Sequence, residues 1–202
     1  MKLYFSPGAC SLASHIVARE AGFDIALEKV NLGAKKTETD RDFLAINPKG
    51  YVPALELDGG ELLTEGTAIM PFLADKAPDA GLFPDGPLGR HRVQEMLGYI
   101  NSEIHKTYSP LFNPKISPEF REDRIAYLRK RYALIETLLA GKSYLFGDRF
   151  SIADAYLFTV TSWANFVKVD LSEFPNLLAF QARVAARPAV QAALGAEGLL
   201  KN

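Results

Sequence analysis

Cys10 is the only cysteine in the 202 residues, and it stands in the turn Phe5-Ser6-Pro7-Gly8-Ala9-Cys10-Ser11. From Ser11 the apolar residues Leu12, Ile16, Val17 and Ala21 recur at helical spacing, and Gly22 marks the stop. The thiol therefore sits at a helix start, where unpaired amides and the helix dipole stabilise an anion. A cysteine more acidic than a free thiol is expected there. The plainer alternative is a small buried hydrophobe. Other candidate groups lie further along. Glu65, in Thr64-Glu65-Gly66-Thr67, opens a helix where a carboxylate suits the positive end. Lys35 lies in the polar loop Gly33-Ala34-Lys35-Lys36-Thr37-Glu38-Thr39. His105, followed by Lys106, ends a stripe of small or polar residues, Gly98, Asn101, Ser102 and His105, spaced three and four apart. A core helix has little use for such a stripe, whereas a cleft or a subunit contact has. Taken singly, Glu65 is equally a helix-start acid, Lys35 a solvated loop lysine and His105 a surface histidine.

These residues need elements to position them. Met1 to Phe5 reads as a short strand, with Leu3 and Phe5 pointing one way and Lys2 and Tyr4 the other. Ser6-Pro7-Gly8 breaks it, since proline fixes φ and glycine tolerates unusual backbone angles. Asp24 to Leu32 has a weak strand signature, and Asp40 to Ile46 is a short helix ending at Asn47-Pro48-Lys49-Gly50. Val52-Pro53-Ala54-Leu55-Glu56-Leu57, Asp58-Gly59-Gly60 and Glu61-Leu62-Leu63 form a β-hairpin with a glycine-rich turn. The helix that Glu65 opens runs through Ile69, Phe72, Leu73 and Lys76, with Pro71 inside it at a cost of roughly 3 kcal/mol unless the helix bends.

Ala77 to Pro87 holds Pro78, Pro84 and Pro87 and reads as a linker, after which only helical patterns remain. One helix spans about Leu88 to Ser109 with a core stripe of Val93, Met96, Leu97, Ile100 and Ile104. A second starts at Ser117-Pro118 and runs to Gly141. Ser151-Ile152-Ala153-Asp154 resembles a capping box with Asp in place of Glu, and the helix after it is apolar nearly all round, Trp163 included. Two short helices, 176–186 and 189–194, are split by Arg187-Pro188. Two domains follow: a mixed α/β domain of residues 1–77, a linker of 78–87 and an all-α domain of 88–202.

Composition narrows the function classes. Lys+Arg 23 against Asp+Glu 24 gives a formal charge of −1, so no basic field points to nucleic acid or an acidic membrane. One cysteine rules out an intrachain disulfide and fits a reducing compartment. No signal-peptide core, bilayer-length apolar run, phosphate loop or Cys/His metal cluster is visible. A cytoplasmic enzyme or binding protein without a metal is expected.

The motifs make a closer match. Ser6-Pro7-Gly8-Ala9-Cys10-Ser11-Leu12, Asn47-Pro48-Lys49-Gly50-Tyr51-Val52-Pro53-Ala54-Leu55, Leu63-Thr64-Glu65-Gly66, Glu103-Ile104-His105-Lys106 and Ser151-Ile152-Ala153-Asp154-Ala155-Tyr156-Leu157-Phe158 resemble the bacterial glutathione transferases of the beta class. The resemblance covers essentially the whole chain, and the cysteine turn with the later His-Lys pair is what points to beta. It implies a thioredoxin-like N-terminal domain and an all-helical C-terminal one, with glutathione as co-substrate and a hydrophobic electrophile as its partner in detoxification. Pro53 would be cis, so that Val52 pairs with the cysteine of glutathione like an added strand. Glu65 would take the γ-glutamyl ammonium, the Gly66 N–H the neighbouring carboxylate, and Lys35 the glycyl carboxylate. Ala9 and Cys10 would line the sulfur, with His105 and Lys106 facing it across a cleft; helix start, histidine and lysine would act as three positive influences on the thiol. Gly98, Asn101, Ser102, Tyr108 and Trp163 would meet the electrophile. Glu103 would reach glutathione in a neighbouring subunit, making the active unit a homodimer. Two departures stand out: Phe5 places a hydroxyl-free ring where the class often has Tyr, and Gly98 stands where relatives often carry Asn. The alternatives are a glutathione-dependent thiol-disulfide reductase or reductive dehalogenase using Cys10 covalently, and a non-catalytic carrier on the same fold.

Overall fold

A computed structural model describes residues 1–200. The chain forms two compact units, Met1–Gly81 joined by the segment from Arg187 onward, and Leu82–Ala186.

The first unit is built on β1 (Lys2–Phe5). After α1 (Ser11–Glu20) crosses over, β2 (Ala26–Asn31) pairs with β1 in parallel, Leu3 opposite Leu27. A parallel neighbour needs such a crossover, which is why the cysteine turn falls where strand passes into helix. The short strand β3 (Lys36–Thr37) lies antiparallel to β2, and α2 (Phe43–Ile46) follows. The expected hairpin is β4 (Ala54–Glu56) and β5 (Leu62–Thr64), with β4 antiparallel to β1. The sheet order is β3-β2-β1-β4-β5. Next comes α3 (Gly66–Lys76), with the buried Pro71 inside it.

Tyr4, expected on the face of β1 opposite Leu3, is as fully buried as Leu3. It packs with Val30, Phe43, Val52 and Ala54, so both faces of this sheet are covered. Its hydroxyl donates to Glu56 Oε2 at 2.6 Å and receives Arg41 at 3.2 Å, which satisfies the buried phenol. Phe5 is also buried.

The helical unit begins with α4 (Gly89–Tyr99). A Cβ on Gly89 would lie 1.9 Å from the Pro84 carbonyl oxygen, so only glycine lets the linker pass this close to the helix. The helix expected to run unbroken to Ser109 instead widens into π-type turns at Ile100–His105. It recovers one α turn, α5 (Lys106–Tyr108), and tightens to 3-10 geometry at Ser109–Phe112. Then come α6 (Pro118–Leu139), α7 (Ile152–Val167) and α8 (Pro175–Ala185). Nearly every residue of α7 is buried, as its all-round apolarity requires. The Asp154 carboxylate accepts from Ser151 N–H at 2.8 Å, Ser151 Oγ at 2.6 Å and Leu145 N–H at 2.9 Å. It thus ties the preceding loop to the helix start.

The last helix, α9 (Pro188–Ala196), belongs to the first unit rather than to the helices before it. It packs on α1, and Arg187 bridges both carboxylate oxygens of Glu20 at 2.6 and 2.7 Å. The expected all-helical domain of 88–202 therefore ends near residue 186. Periodicity alone assigns this helix a class, not a partner. No helix among the described residues is long and apolar enough to cross a membrane.

Candidate functional site

Cys10 is the N-cap residue of α1 and is half-buried. Its Sγ donates to the Val52 carbonyl at 3.2 Å. The turn is internally bonded: Ala9 N–H reaches Ser6 O at 3.0 Å, and Ser11 Oγ contacts Ser6 N at 3.2 Å and Ser6 O at 3.3 Å. Ala9 itself packs against the Tyr4–Val52 cluster. A residue the sequence did not single out anchors this turn from the far end of the chain. Glu197 Oε2 accepts the Gly8 N–H at 2.9 Å, and Oε1 meets His15 Nδ1 at 3.0 Å, with both side chains fully buried. Arg19 Nε reaches His15 Nε2 at 3.4 Å, leaving the Nδ1–H to donate to the carboxylate. Nothing local in the sequence points to this pair, since His15 and Glu197 stand 182 residues apart.

The Val52-Pro53 peptide is cis. Lys35, at φ +55°, extends its ammonium to the Gly50 carbonyl at 2.7 Å. Glu65, at φ +69°, precedes Gly66 at the start of α3. Its Oε1 receives Lys49 Nζ at 2.6 Å and the Tyr51 hydroxyl at 3.2 Å. Asn47 shapes this stretch by donating to Tyr51 O at 2.8 Å. Cys10, Lys35 and Glu65, far apart in sequence, thus all touch one segment, Lys49–Val52. A thiol, a cation, backbone carbonyls and a carboxylate gathered this way suit a peptide that carries charges at both ends and sulfur between. Lys49 and Tyr51 were quoted in a motif but given no role by the sequence.

In the helical unit the π-type turns alter the expected stripe. Asn101 and His105 converge on Tyr156 of α7, whose hydroxyl donates to Asn101 Oδ1 at 3.0 Å and lies 2.6 Å from His105 Nδ1. Since the hydroxyl proton goes to Asn101, its oxygen takes the Nδ1–H of His105, leaving Nε2 as the acceptor of a neutral ring. Tyr156, read from sequence as one more apolar residue of α7, is therefore the positioning partner of His105. Trp163 is buried with its ring 4.9 Å from that of His105, and it also packs edge-on against Tyr108 and Phe112. Tyr108, expected to line a pocket, is fully buried with its hydroxyl 3.0 Å from that of Tyr132, so it is a core residue. Gly98, Ser102 and Lys106 are exposed. Glu103, expected to serve a neighbouring subunit, is paired in its own chain with Arg131 at 2.9 Å and with the Tyr127 hydroxyl at 2.5 Å.

Burial, with Lys106 adding to it, lowers the His105 pKa from 6.5 to about 4. The expected third positive influence is thus absent at neutral pH. Because the unfolded chain binds this proton more tightly, His105 contributes stability above pH 6.5 that is lost as pH falls through about 4. Its imidazole resonances should accordingly stay those of the neutral ring at pH 6. A half-protonated ring near pH 6.5 would contradict this geometry.

No cluster of three His, Cys, Asp or Glu able to hold a metal occurs among the described residues. Family models described as the N-terminal and C-terminal domains of glutathione S-transferase match residues 8–76 and 99–188. The glutathione S-transferase GstA of Escherichia coli O157:H7 is 49% identical over 98% of this chain and 100% of its own. The beta-class glutathione S-transferase of Sphingomonas chungbukensis superposes with a TM-score of 0.94 at 47% identity, covering 99% of this chain and 100% of its own. A sphingomonad glutathione S-transferase solved with glutathione superposes at 0.93 and 46% identity, with the same coverage.

Proposed function

The chain belongs to the glutathione S-transferase family, and from that premise we propose that it joins the glutathione sulfur to hydrophobic electrophiles as a detoxifying homodimer. The observation that carries the binding mode is the gathering of Cys10, Lys35 and Glu65 on the Lys49–Val52 segment. Lys35 takes the glycyl carboxylate, and the Val52 backbone beside cis-Pro53 pairs with the cysteinyl residue. Glu65 takes the γ-glutamyl ammonium, and the Gly66 N–H takes the adjacent carboxylate.

In the reaction the glutathione thiol releases its proton to solvent and the thiolate attacks the electrophilic carbon. A C–S bond forms as the bond to the leaving group breaks, its electron pair departing with that group. Taking the proton from an ordinary thiol, of pKa about 8.5, with a ring of pKa about 4 would be uphill by about 6 kcal/mol. A neutral ring that gives its Nδ1–H to Tyr156 has no proton left for a thiolate, so stabilisation of the thiolate falls to the first turn of α1. Asn101, Ser102 and His105, with Trp163 behind the histidine, are assigned to the electrophile.

Replacing Glu65 with alanine removes the only carboxylate of the Thr64–Thr67 turn, the one assigned to the ligand's ammonium. Glutathione binding should weaken by about 1.5–3 kcal/mol, the range for a hydrogen bond to a charged group. Calorimetry showing unchanged affinity in a folded variant would remove Glu65 from the site and leave it a helix-start acid. For the homodimer, light scattering should give twice the chain mass of 22.2 kDa. A fully active particle of single-chain mass would contradict it.

A further inference from the structure

Lys49 is held at the carboxylate that recognises the ligand's amino group. Its Nζ lies 2.6 Å from Glu65 Oε1 and 2.9 Å from Thr64 Oγ1, and Tyr51 donates to the same Glu65 oxygen. These contacts join the Asn47–Gly50 turn to the β5–α3 junction, wholly within the first unit. We propose that Lys49 is a specificity-setting competitor, an internal ammonium that the γ-glutamyl ammonium of glutathione must displace from Glu65. This rests on the assignment of Glu65 to that ammonium.

The consequence follows from charge alone. A ligand bearing the α-ammonium regains at Glu65 what Lys49 gives up, so its binding is reduced only by the difference. A ligand without that ammonium cannot displace Lys49 and gains nothing at Glu65. The pair is exposed on both sides, 45% and 49%, and pairs of this kind are weak enough to be exchanged rather than locked. Thr64 keeps a hydroxyl within reach of the lysine, so the ammonium has a second partner when Glu65 is taken.

The test is calorimetric titration of wild type, Lys49→Met, Lys49→Gln and Lys49→Arg with glutathione and with glutaryl-cysteinylglycine, the analogue lacking only the amino group. Tighter wild-type binding of glutathione than of the analogue checks the assignment of Glu65 to the ammonium first, and equal binding of the two ligands would be failure of that assignment, distinct from failure of the Lys49 role. Both neutral variants should bind glutathione roughly two- to fivefold more tightly, as expected for loss of an exposed competing pair. The analogue should be unaffected, and Lys49→Arg should behave as wild type. Unchanged affinity for glutathione in the neutral variants would overturn the proposal. So would weaker binding, which would make Lys49 a direct contact of the ligand, or equal tightening for both ligands, which would indicate general relief of positive charge.

Discussion

Cys10→Ala is expected to abolish capture of glutathione from its disulfide, while the wild type forms a mixed disulfide detectable by mass. In that capture the Cys10 thiolate attacks one sulfur of oxidised glutathione. A Cys10–glutathione S–S bond forms, the original S–S bond breaks, and one glutathione thiolate leaves. The geometry favours capture because Cys10 Sγ lies 3.2 Å from the Val52 carbonyl, the backbone assigned to the cysteinyl residue of glutathione. Two sulfurs are thereby directed to one place. Intact-mass measurement after exposure to oxidised glutathione should show one adduct on the wild type. An unmodified wild type would make Cys10 a purely structural neighbour of Val52.

Asp154→Ala is expected to carry a large stability effect. The carboxylate is fully buried and is the acceptor for two buried backbone donors, Ser151 N–H and Leu145 N–H, as well as for the Ser151 hydroxyl. Each stranded buried donor costs about 1–3 kcal/mol, and loss of the helix cap adds about 1. A total of about 3–7 kcal/mol is a large share of the roughly 5–15 kcal/mol that holds a typical domain folded. The melting temperature should fall by at least roughly 6 °C, given about 2–4 °C per kcal/mol at this size. Asp154→Asn, which keeps one acceptor oxygen, should lose less. A melt within 2 °C of wild type for the alanine variant would show that water or a neighbour replaces the carboxylate, against the burial seen at this position.

How much of this was legible beforehand depended on whether the signal was local. The cysteine turn, the hairpin with its glycine-rich turn and the Ser151–Asp154 cap are written in a few adjacent residues, and each folds as expected. The π-type turns at Ile100–His105 are not, because Ile100 and Ile104 keep a normal helical spacing and nothing in Ile-Asn-Ser-Glu-Ile-His announces a wider turn. Nor does the sequence announce Tyr156, at whose hydroxyl Asn101 and His105 meet. Likewise α9 has the periodicity of any amphipathic helix, and only its packing on α1 assigns it to the first unit. The charge of His105 depends on distant residues in the same way. Sequence placed it beside Lys106 on a polar stripe, whereas the neighbouring Trp163 and Tyr156 rings bury it and keep it neutral. Tyr108 failed as a lining residue because a tyrosine at a helix end reads the same whether its hydroxyl meets solvent or, as here, Tyr132.

The most direct test is thioether formation from glutathione and an aryl halide, followed by product mass with wild type and with Cys10→Ala. Because glutathione's own sulfur is the nucleophile, both proteins should release the thioether with a rate that saturates in glutathione. The variant should be slower but above the uncatalysed rate. If the variant binds glutathione normally yet forms no thioether, the Cys10 sulfur is an obligatory participant and the assignment of glutathione as nucleophile is wrong.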